Sequence, residues 1–340
     1  WKGEFIMNTC IRVGDISFRV ISYYPFIDRL REYFIDFDSI CEEKDIIQIK
    51  YCGISFNEFL DQNKYKGTFS NYMNVKYDIY ELDKNVELFI SRDKEYGEHV
   101  YKKISAFSYE VYSLNNSIHN GIQWVIRLMR ELILINNIHK GFVPMHASAI
   151  SKNEYGIIFV GKKGSGKTTS MLSCVFENSD IISNDLVFVG EENNQIVIKG
   201  WPWCVTIGND LIEKTKLRDL GDRKNEKARL TPKLFCDRMD CRWVKKAKLF
   251  RLVFPEVKID AKLNVKDIDF EHVLKRLETE GSEFDAVPLL LEMRNFKCNF
   301  NKIYILLVHE INTMVISGDF WTHKKEFVDI IYDKDHPTID

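Results

Sequence analysis

The stretch IIFVGKKGSGKTTS, from Ile157 to Ser170, constrains the fold more than any other part of the chain. An apolar run rich in β-branched and aromatic residues enters a glycine-rich turn, and a helix-compatible run follows. The pattern predicts strand, tight loop and helix in immediate succession. Gly161-Lys162-Lys163-Gly164-Ser165-Gly166-Lys167-Thr168 fits G-x-x-x-x-G-K-S/T at every fixed position. Glycines there let backbone N–H groups turn inward against phosphate oxygens, and the helix N-terminus adds the positive end of its dipole. Lys167 brings a point charge to the β/γ-phosphates, and the Thr168 hydroxyl is a ligand for Mg²⁺. Gly161 to Thr169 is therefore the expected nucleotide-binding segment, against the plainer reading of a glycine turn with a solvated lysine.

Such a metal site needs a carboxylate at the end of a neighbouring strand. ISNDLVFV offers Asp185, eighteen residues after Lys167 and followed by strand-forming residues. Asp185 could instead cap a turn with its neighbour Asn184. His146, in PMHASAI, sits one predicted strand upstream of the loop, as a catalytic group or as a satisfied core histidine.

The chain has 340 residues, 45% of them hydrophobic and 13% aromatic, enough for one large domain or two of ordinary size with real cores. A net charge of −2 gives no support for a nucleic-acid scaffold. None of the eight cysteines forms a C-x-x-C pair, and no histidine completes a zinc spacing near Cys236 and Cys241. They read as reduced thiols of a cytoplasmic protein. No apolar run approaches the roughly 18 residues of a membrane span, so no membrane is expected. Met7 is the expected natural start, with Trp1 to Ile6 a foreign leader.

The N-terminal third reads as short, mostly antiparallel strands with helical interruptions: CIRVGDISFRVIS, IIQIKYCGISF, KYDIYEL and VELFISR as strands, FIDRLREYFIDF as a helix. IHNGIQWVIRLMRELILINNIH, from Ile118 to His139, has apolar residues every three or four positions around a broad face, a long helix packed between layers. The expected domain boundary follows it, giving residues 1–140, the candidate for substrate recognition, and 141–340, the P-loop kinase domain. No Pro, Gly or Ser linker marks the point, so a tight interface is expected. Beyond the boundary FVPMHASAI, DIISNDLVFVG, QIVIKG, RLVFPEVKI, KIYILLVH and TMVISGDF read as strands, and the charge-rich stretch from Lys214 to Lys248 as partly helical and solvated.

Taken together, His146, the loop and Asn184-Asp185 resemble the HPr serine kinase/phosphorylase family, a branch of the phosphoenolpyruvate carboxykinase-like P-loop proteins, and more closely the HPr-kinase-related proteins associated with peptide-modification gene clusters. The resemblance covers roughly Gly141 to Gly208, with looser echoes to Phe254. The family pattern is a histidine, a phosphate loop about fifteen residues on, an Asp-Asp pair, and then E-I/V-R-G. Here His146 precedes Gly161 by that interval, Asn184-Asp185 falls at the acidic pair, and IVIKG (Ile196 to Gly200) matches the last segment. The expected architecture is α/β, an N-terminal α+β domain packed on a C-terminal P-loop kinase domain, and the resemblance implies that the sheet of the latter is mixed. It also implies that Gly161 to Thr168 bind the nucleotide, that Asp185 helps hold Mg²⁺, and that His146 sits beside the attacking hydroxyl. Three departures matter. The general-base position is Asn184, and an amide cannot take a proton. The Glu and Arg of the last segment are Val197 and Lys199, and the acidic residue after the loop Thr is Thr169. Either His146 or Asp185 serves as the base, or transfer proceeds without a strong one, since phosphoryl transfer is mostly positioning and charge stabilisation.

Trp201 and Trp203, in GWPWCVTIG, read as buried aromatics, with stacking on a peptide or a nucleobase as the alternative. Arg223, Lys224, Lys227 and Arg229 read as a solvated helix face, with steadying of transition-state charge as the alternative. The expectation for the whole chain is a Mg²⁺-dependent kinase moving the γ-phosphoryl of ATP or GTP onto a Ser/Thr hydroxyl of a peptide or small protein, possible as a homo-oligomer. A small-molecule hydroxyl kinase and a non-catalytic nucleotide-binding switch are the rival readings.

Overall fold

The computed structural model describes residues 7–13, 16–22, 27–34, 46–52, 64–70, 76–83, 86–92, 98–113, 118–215, 217, 223–224, 227–281 and 300–333. Trp1 to Ile6, Asn115-Asn116-Ser117 (an N-x-S/T match), Cys41 and Cys298 lie outside them. The chain divides into two compact units, with the first break between Asn136 and Asn137.

In the first unit the strands are β1 (Met7–Val13), β2 (Ile16–Ser22), β3 (Ile46–Tyr51), β4 (Lys64–Ser70), β5 (Lys76–Asp83), β6 (Val86–Ser91), β7 (His99–Ser105) and β8 (Ser108–Ser113). They form one sheet in the order β1-β2-β3-β8-β7-β6-β5-β4. Most neighbours are antiparallel, but β3 runs parallel to both β2 and β8, and helix α1 (Ile27–Tyr33) lies between β2 and β3 in the chain. Alternation sets the buried face: along β2, Ile16, Phe18, Val20 and Ser22 are buried and the residues between are half-buried. Helix α2 (Ile118–His139) places Trp124 flat on the His99 ring, centroids 3.6 Å apart at 9°. The Tyr77 hydroxyl meets His99 Nε2 at 2.8 Å, and Tyr101 Oη donates to the Trp124 carbonyl at 3.1 Å. These bonds satisfy polar tips inside an otherwise apolar layer.

In the second unit β9 (Val143–Lys152), β10 (Tyr155–Val160), β11 (Asp180–Ser183), β12 (Leu186–Glu192), β13 (Gln195–Gly200), β14 (Val205–Gly208), β15 (Arg223–Lys224), β16 (Lys227–Leu230), β17 (Lys246–Val257), β18 (Asn264–Lys266) and β19 (Asn312–Gly318) accompany helices α3 (Lys167–Phe176), α4 (Asn209–Lys214), α5 (Pro232–Met239), α6 (Phe270–Arg276), α7 (Phe300–Glu310) and α8 (Lys324–Tyr332). A single π turn, Leu277–Gly281, extends α6. The main sheet is mixed. β10, β17 and β19 run parallel, whereas β9, β12, β13 and β18 pair antiparallel with their neighbours. β17 pairs with β10 on one side and β13 on the other, so β9, β12, β13, β17 and β10 close into a ring.

β10 reads YGIIFV because both of its faces are covered. Ile158 and Val160 join a core with Leu252, Phe254, Val273, Leu277, Ile303 and Leu307, the last four from α6, its π extension and α7. Phe159 faces the other way, stacking 6.1 Å from Phe327 of α8. The mixed α/β character expected from the sequence is what the structure has. One element differs in kind: KIYILLVH is not a strand but the body of α7. Ile303, Tyr304, Leu307 and Val308 recur at helical spacing on its buried side. Among the described residues, no helix is long and apolar enough to cross a membrane.

Candidate functional site

Three parallel strands end side by side, and the carboxyl ends of parallel strands are where α/β folds collect ligands. β10 ends at Val160 and opens into the glycine loop. β17 ends at Val257, followed by Ile259. β19 ends at Gly318, followed by Asp319 and Trp321. Loop residues, Val257, Ile259, Asp319 and Trp321 all line one cleft of about 570 Å³.

The loop turns on two glycines in left-handed territory, Gly164 at φ +86° and Gly166 at φ +108°. A Cβ on Gly166 would stand 3.0 Å from Val257 Cβ and 3.3 Å from Phe320 Cε2, so neither the backbone angle nor the space admits a side chain. The loop is fastened to the neighbouring strand by Val257 N–H, which donates to the Ser165 carbonyl at 2.9 Å. α3 begins at Lys167, whose ammonium folds back to the Gly161 carbonyl and donates to the Lys162 carbonyl at 3.2 Å. Behind Gly161 lies the π turn. A Cβ on Gly161 would be 3.6 Å from Glu280 Oε2, and Arg276 forks onto that carboxylate at 3.0 and 3.1 Å.

The second edge of the cleft is the link between β11 and β12. Both strands pair with β9, and the two link residues, Asn184 and Asp185, lean over it. Ala147 N–H donates to the Asp185 carbonyl at 3.1 Å, and Ser148 Oγ donates to the Asn184 carbonyl at 2.9 Å. With its backbone pinned, the link presents its side chains to the loop. Thr168 Oγ1 donates to Asn184 Oδ1 at 3.3 Å, and His146 Nδ1 stands 3.4 Å from Asp185 Oδ1. His146, Lys162, Lys163, Gly164, Gly166, Lys167, Thr168, Thr169, Asn184 and Asp185 thus share the cleft, although His146 and Lys167 are 21 positions apart in the chain. Gly161 and Ser165 do not line it.

Residues 197 and 199 are elsewhere. Val197 is part of the core, and Lys199 pairs with Glu192 at 2.6 Å while lying 4.0 Å over the Phe142 ring. Burial pushes the Glu192 carboxyl up, but hydrogen bonds from Lys199 and Lys246 outweigh it and hold the group below its ordinary value. The two tryptophans part company. Trp201 is buried 5.4 Å from Phe188, and Trp203 lines the cleft. Lys227 and Arg229, expected on a solvated helix face, lie instead on strand β16 and line the cleft as well. The side chains of Arg223 and Lys224 lie outside the described residues.

Asp319 was not singled out in the sequence. It is buried and accepts from the N–H groups of Trp321 at 3.2 Å and Thr322 at 3.0 Å, and from Thr322 Oγ1 at 2.9 Å. Burial acts to raise its pKa, yet the bonds from Thr322, the Asp260 N–H and the nearby Lys214 charge outweigh it and hold the carboxyl below its ordinary value. Its signal was a glycine closing a mostly apolar strand, as Gly161 follows β10, with the acid directly after it.

No family model matches the chain, and no curated protein does. Among solved structures it is similar to the Hpr(Ser) kinase/phosphatase from Coxiella burnetii, with 10% identity and a TM-score of 0.24, over 37% of this chain and 78% of that one. At that TM-score the likeness carries no functional inference.

Proposed function

We propose that this chain is a phosphotransferase that moves the γ-phosphoryl group of ATP or GTP onto a hydroxyl, most simply a serine or threonine of a peptide or small protein. The observation that carries this reading is the meeting, in one cleft, of the glycine loop with the Asn184-Asp185 link and His146. Loop N–H groups and Lys167 neutralise the triphosphate, with the start of α3 behind them. Thr168 and Asp185 supply oxygen donors, the hard ligands that Mg²⁺ prefers, and two protein ligands are enough when phosphate oxygens and water complete the shell. When bound there, Mg²⁺ would spread the charge that builds on the phosphates.

The Asp185 carboxylate lies against Nδ1 of His146. An Nδ1–H donated to that carboxylate leaves the Nε2 lone pair as proton acceptor, with Asp185 orienting the ring. The acceptor oxygen then attacks the γ-phosphorus, the bond from that phosphorus to the bridging oxygen breaks, the electron pair leaves with the nucleoside diphosphate, and the acceptor proton passes to Nε2. Asn184 hydrogen-bonds the acceptor and steadies Thr168. One feature favours a second reading, a nucleotide-binding switch without turnover: the amide at 184, where a carboxylate would strengthen the base.

Intact-mass measurement of candidate acceptor peptides with ATP and Mg²⁺ tests the proposal, beside Lys167→Ala. A gain of one phosphoryl mass that disappears in Lys167→Ala is the expected result. ATP bound with no acceptor modified would favour the switch, and no ATP bound would defeat both readings.

A further inference from the structure

The cleft has another wall, made by β14, β16 and the end of α4, whose side chains the transfer roles above leave unused. β14 and β16 pair antiparallel with Thr206 opposite Arg229 and Gly208 opposite Lys227. Alternation sorts their faces. Val205, Ile207, Ala228 and Leu230 are fully buried, and Thr206, Lys227 and Arg229 come out on the other side, into the cleft. Lys214 from α4 and Trp203 complete the wall, with Asp210 as its acid. Lys227 and Arg229 are two residues apart on one strand face, so their stems stand about 7 Å apart. That is also the spacing of alternate side chains in an extended peptide. Gly208, opposite Lys227, has the Asp210 carboxylate against it, 2.8 Å from where a Cβ would stand.

The loop already carries three lysines for the phosphates, so the three cations of this wall are surplus to nucleotide binding. We propose that the wall is the acceptor subsite and that the acceptor is acidic: an extended peptide segment with Asp or Glu carboxylates flanking the hydroxyl that receives the phosphoryl group. The inference rests on the phosphotransferase reading of the same cleft. Lys227 and Arg229 bind the flanking carboxylates, Thr206 on β14, opposite Arg229, adds a hydrogen-bonding group, and Trp203 covers the apolar part of the segment.

The test uses two fluorescein-labelled peptides, Gly-Glu-Ser-Glu-Gly and Gly-Gln-Ser-Gln-Gly. Their binding is followed by anisotropy at low ionic strength, to the full chain with a non-hydrolysable ATP analogue and Mg²⁺, so that the loop is occupied. The Glu peptide should bind about tenfold more tightly than the Gln peptide, as expected for two partly exposed charge pairs, and the gap should narrow with salt. In Lys227→Gln/Arg229→Gln the preference should fall to near unity, while in Lys167→Ala without nucleotide it should persist. Equal binding of the two peptides by the wild type, or no binding of either, overturns the inference. So does a preference that survives in the double variant or vanishes in Lys167→Ala, since the charge would then be read elsewhere. Nucleotide binding on these samples, and phosphoserine formation in parallel samples with ATP and Mg²⁺, separate the two ideas. Both peptides phosphorylated alike would sink the acidic subsite and leave the kinase standing. A charge preference without nucleotide binding would do the reverse.

Discussion

Gly166→Ala and Gly164→Ala form a pair that isolates what the loop needs. Both positions have positive φ, +108° and +86°, so an alanine at either costs backbone strain of about 1–3 kcal/mol. Around Gly164 nothing lies within 4 Å of an added Cβ, so strain is the whole cost there. At Gly166 the Cβ would meet Val257 Cβ at 3.0 Å and Phe320 Cε2 at 3.3 Å. Neither is the tip of a flexible chain, and overpacking of this kind adds roughly 1–3 kcal/mol. The difference between the variants is thus about 2 kcal/mol, or roughly 4–8 °C in melting temperature for a unit of this size. The strain can also be relieved by pulling the loop off β17, which breaks the Val257-to-Ser165 bond and misaligns the N–H groups. Thermal melts with and without ATP–Mg²⁺ check this. Gly166→Ala should melt lower and lose at least about tenfold in ATP affinity, some 1.4 kcal/mol. Equal melting of the two variants would refute the crowding argument. A low-melting Gly166→Ala that binds ATP like the wild type would refute the phosphate role of the loop.

With His146 as the base, His146→Gln should lower kcat by about 10²- to 10⁴-fold, and Asn184→Asp should change it by less than about tenfold. A gain of 10²-fold or more (measured as phosphopeptide per minute) in Asn184→Asp would place the missing base at 184, since Asp keeps the bond from Thr168 and adds a proton acceptor. Arg251 is buried and donates to the Ile330 and Ile331 carbonyls at 3.0 Å each and the Asp333 carbonyl at 2.7 Å, closing the end of α8. Arg251→Leu strands those carbonyls and should cost about 3 kcal/mol, read from urea unfolding. Asp319 has a lowered folded pKa, so its stabilisation is fully present above its ordinary value of 3.8 and fades as pH falls through the lowered one. Asp319→Asn should therefore flatten that acid limb while lowering stability at neutral pH, as followed by melts from pH 7 to pH 2.

The glycine loop was legible because its chemistry is local: eight consecutive residues fix the turn, the charge and the helix start. His146 and Asn184-Asp185 were legible as types, but their meeting depends on β11 and β12 both pairing with β9, which spacing cannot dictate. Asp319 and Trp321 were missed for the same reason, because their importance comes from β19 running parallel to β17 at the same end as the loop. α7 was misread on a different ground. In KIYILLVH, β-branched and aromatic content argues for a strand, and in so short an apolar run the period is ambiguous. The winning signal was the spacing of Ile303, Tyr304, Leu307 and Val308, which only a helix turns onto one core.

The same choice of period decides what Lys227 and Arg229 are for. On a helix, residues two apart point about 200° from each other, so the pair would have faced opposite ways and a solvated surface would have been the natural reading. Pairing with β14 makes the segment a strand, and a strand sets both cations on one face, with Ala228 and Leu230 buried behind them. Charge alone would have left this segment a feature of the solvent. The two-residue period turns it into a wall of the cleft, and an extended acidic segment laid along that wall would share its period.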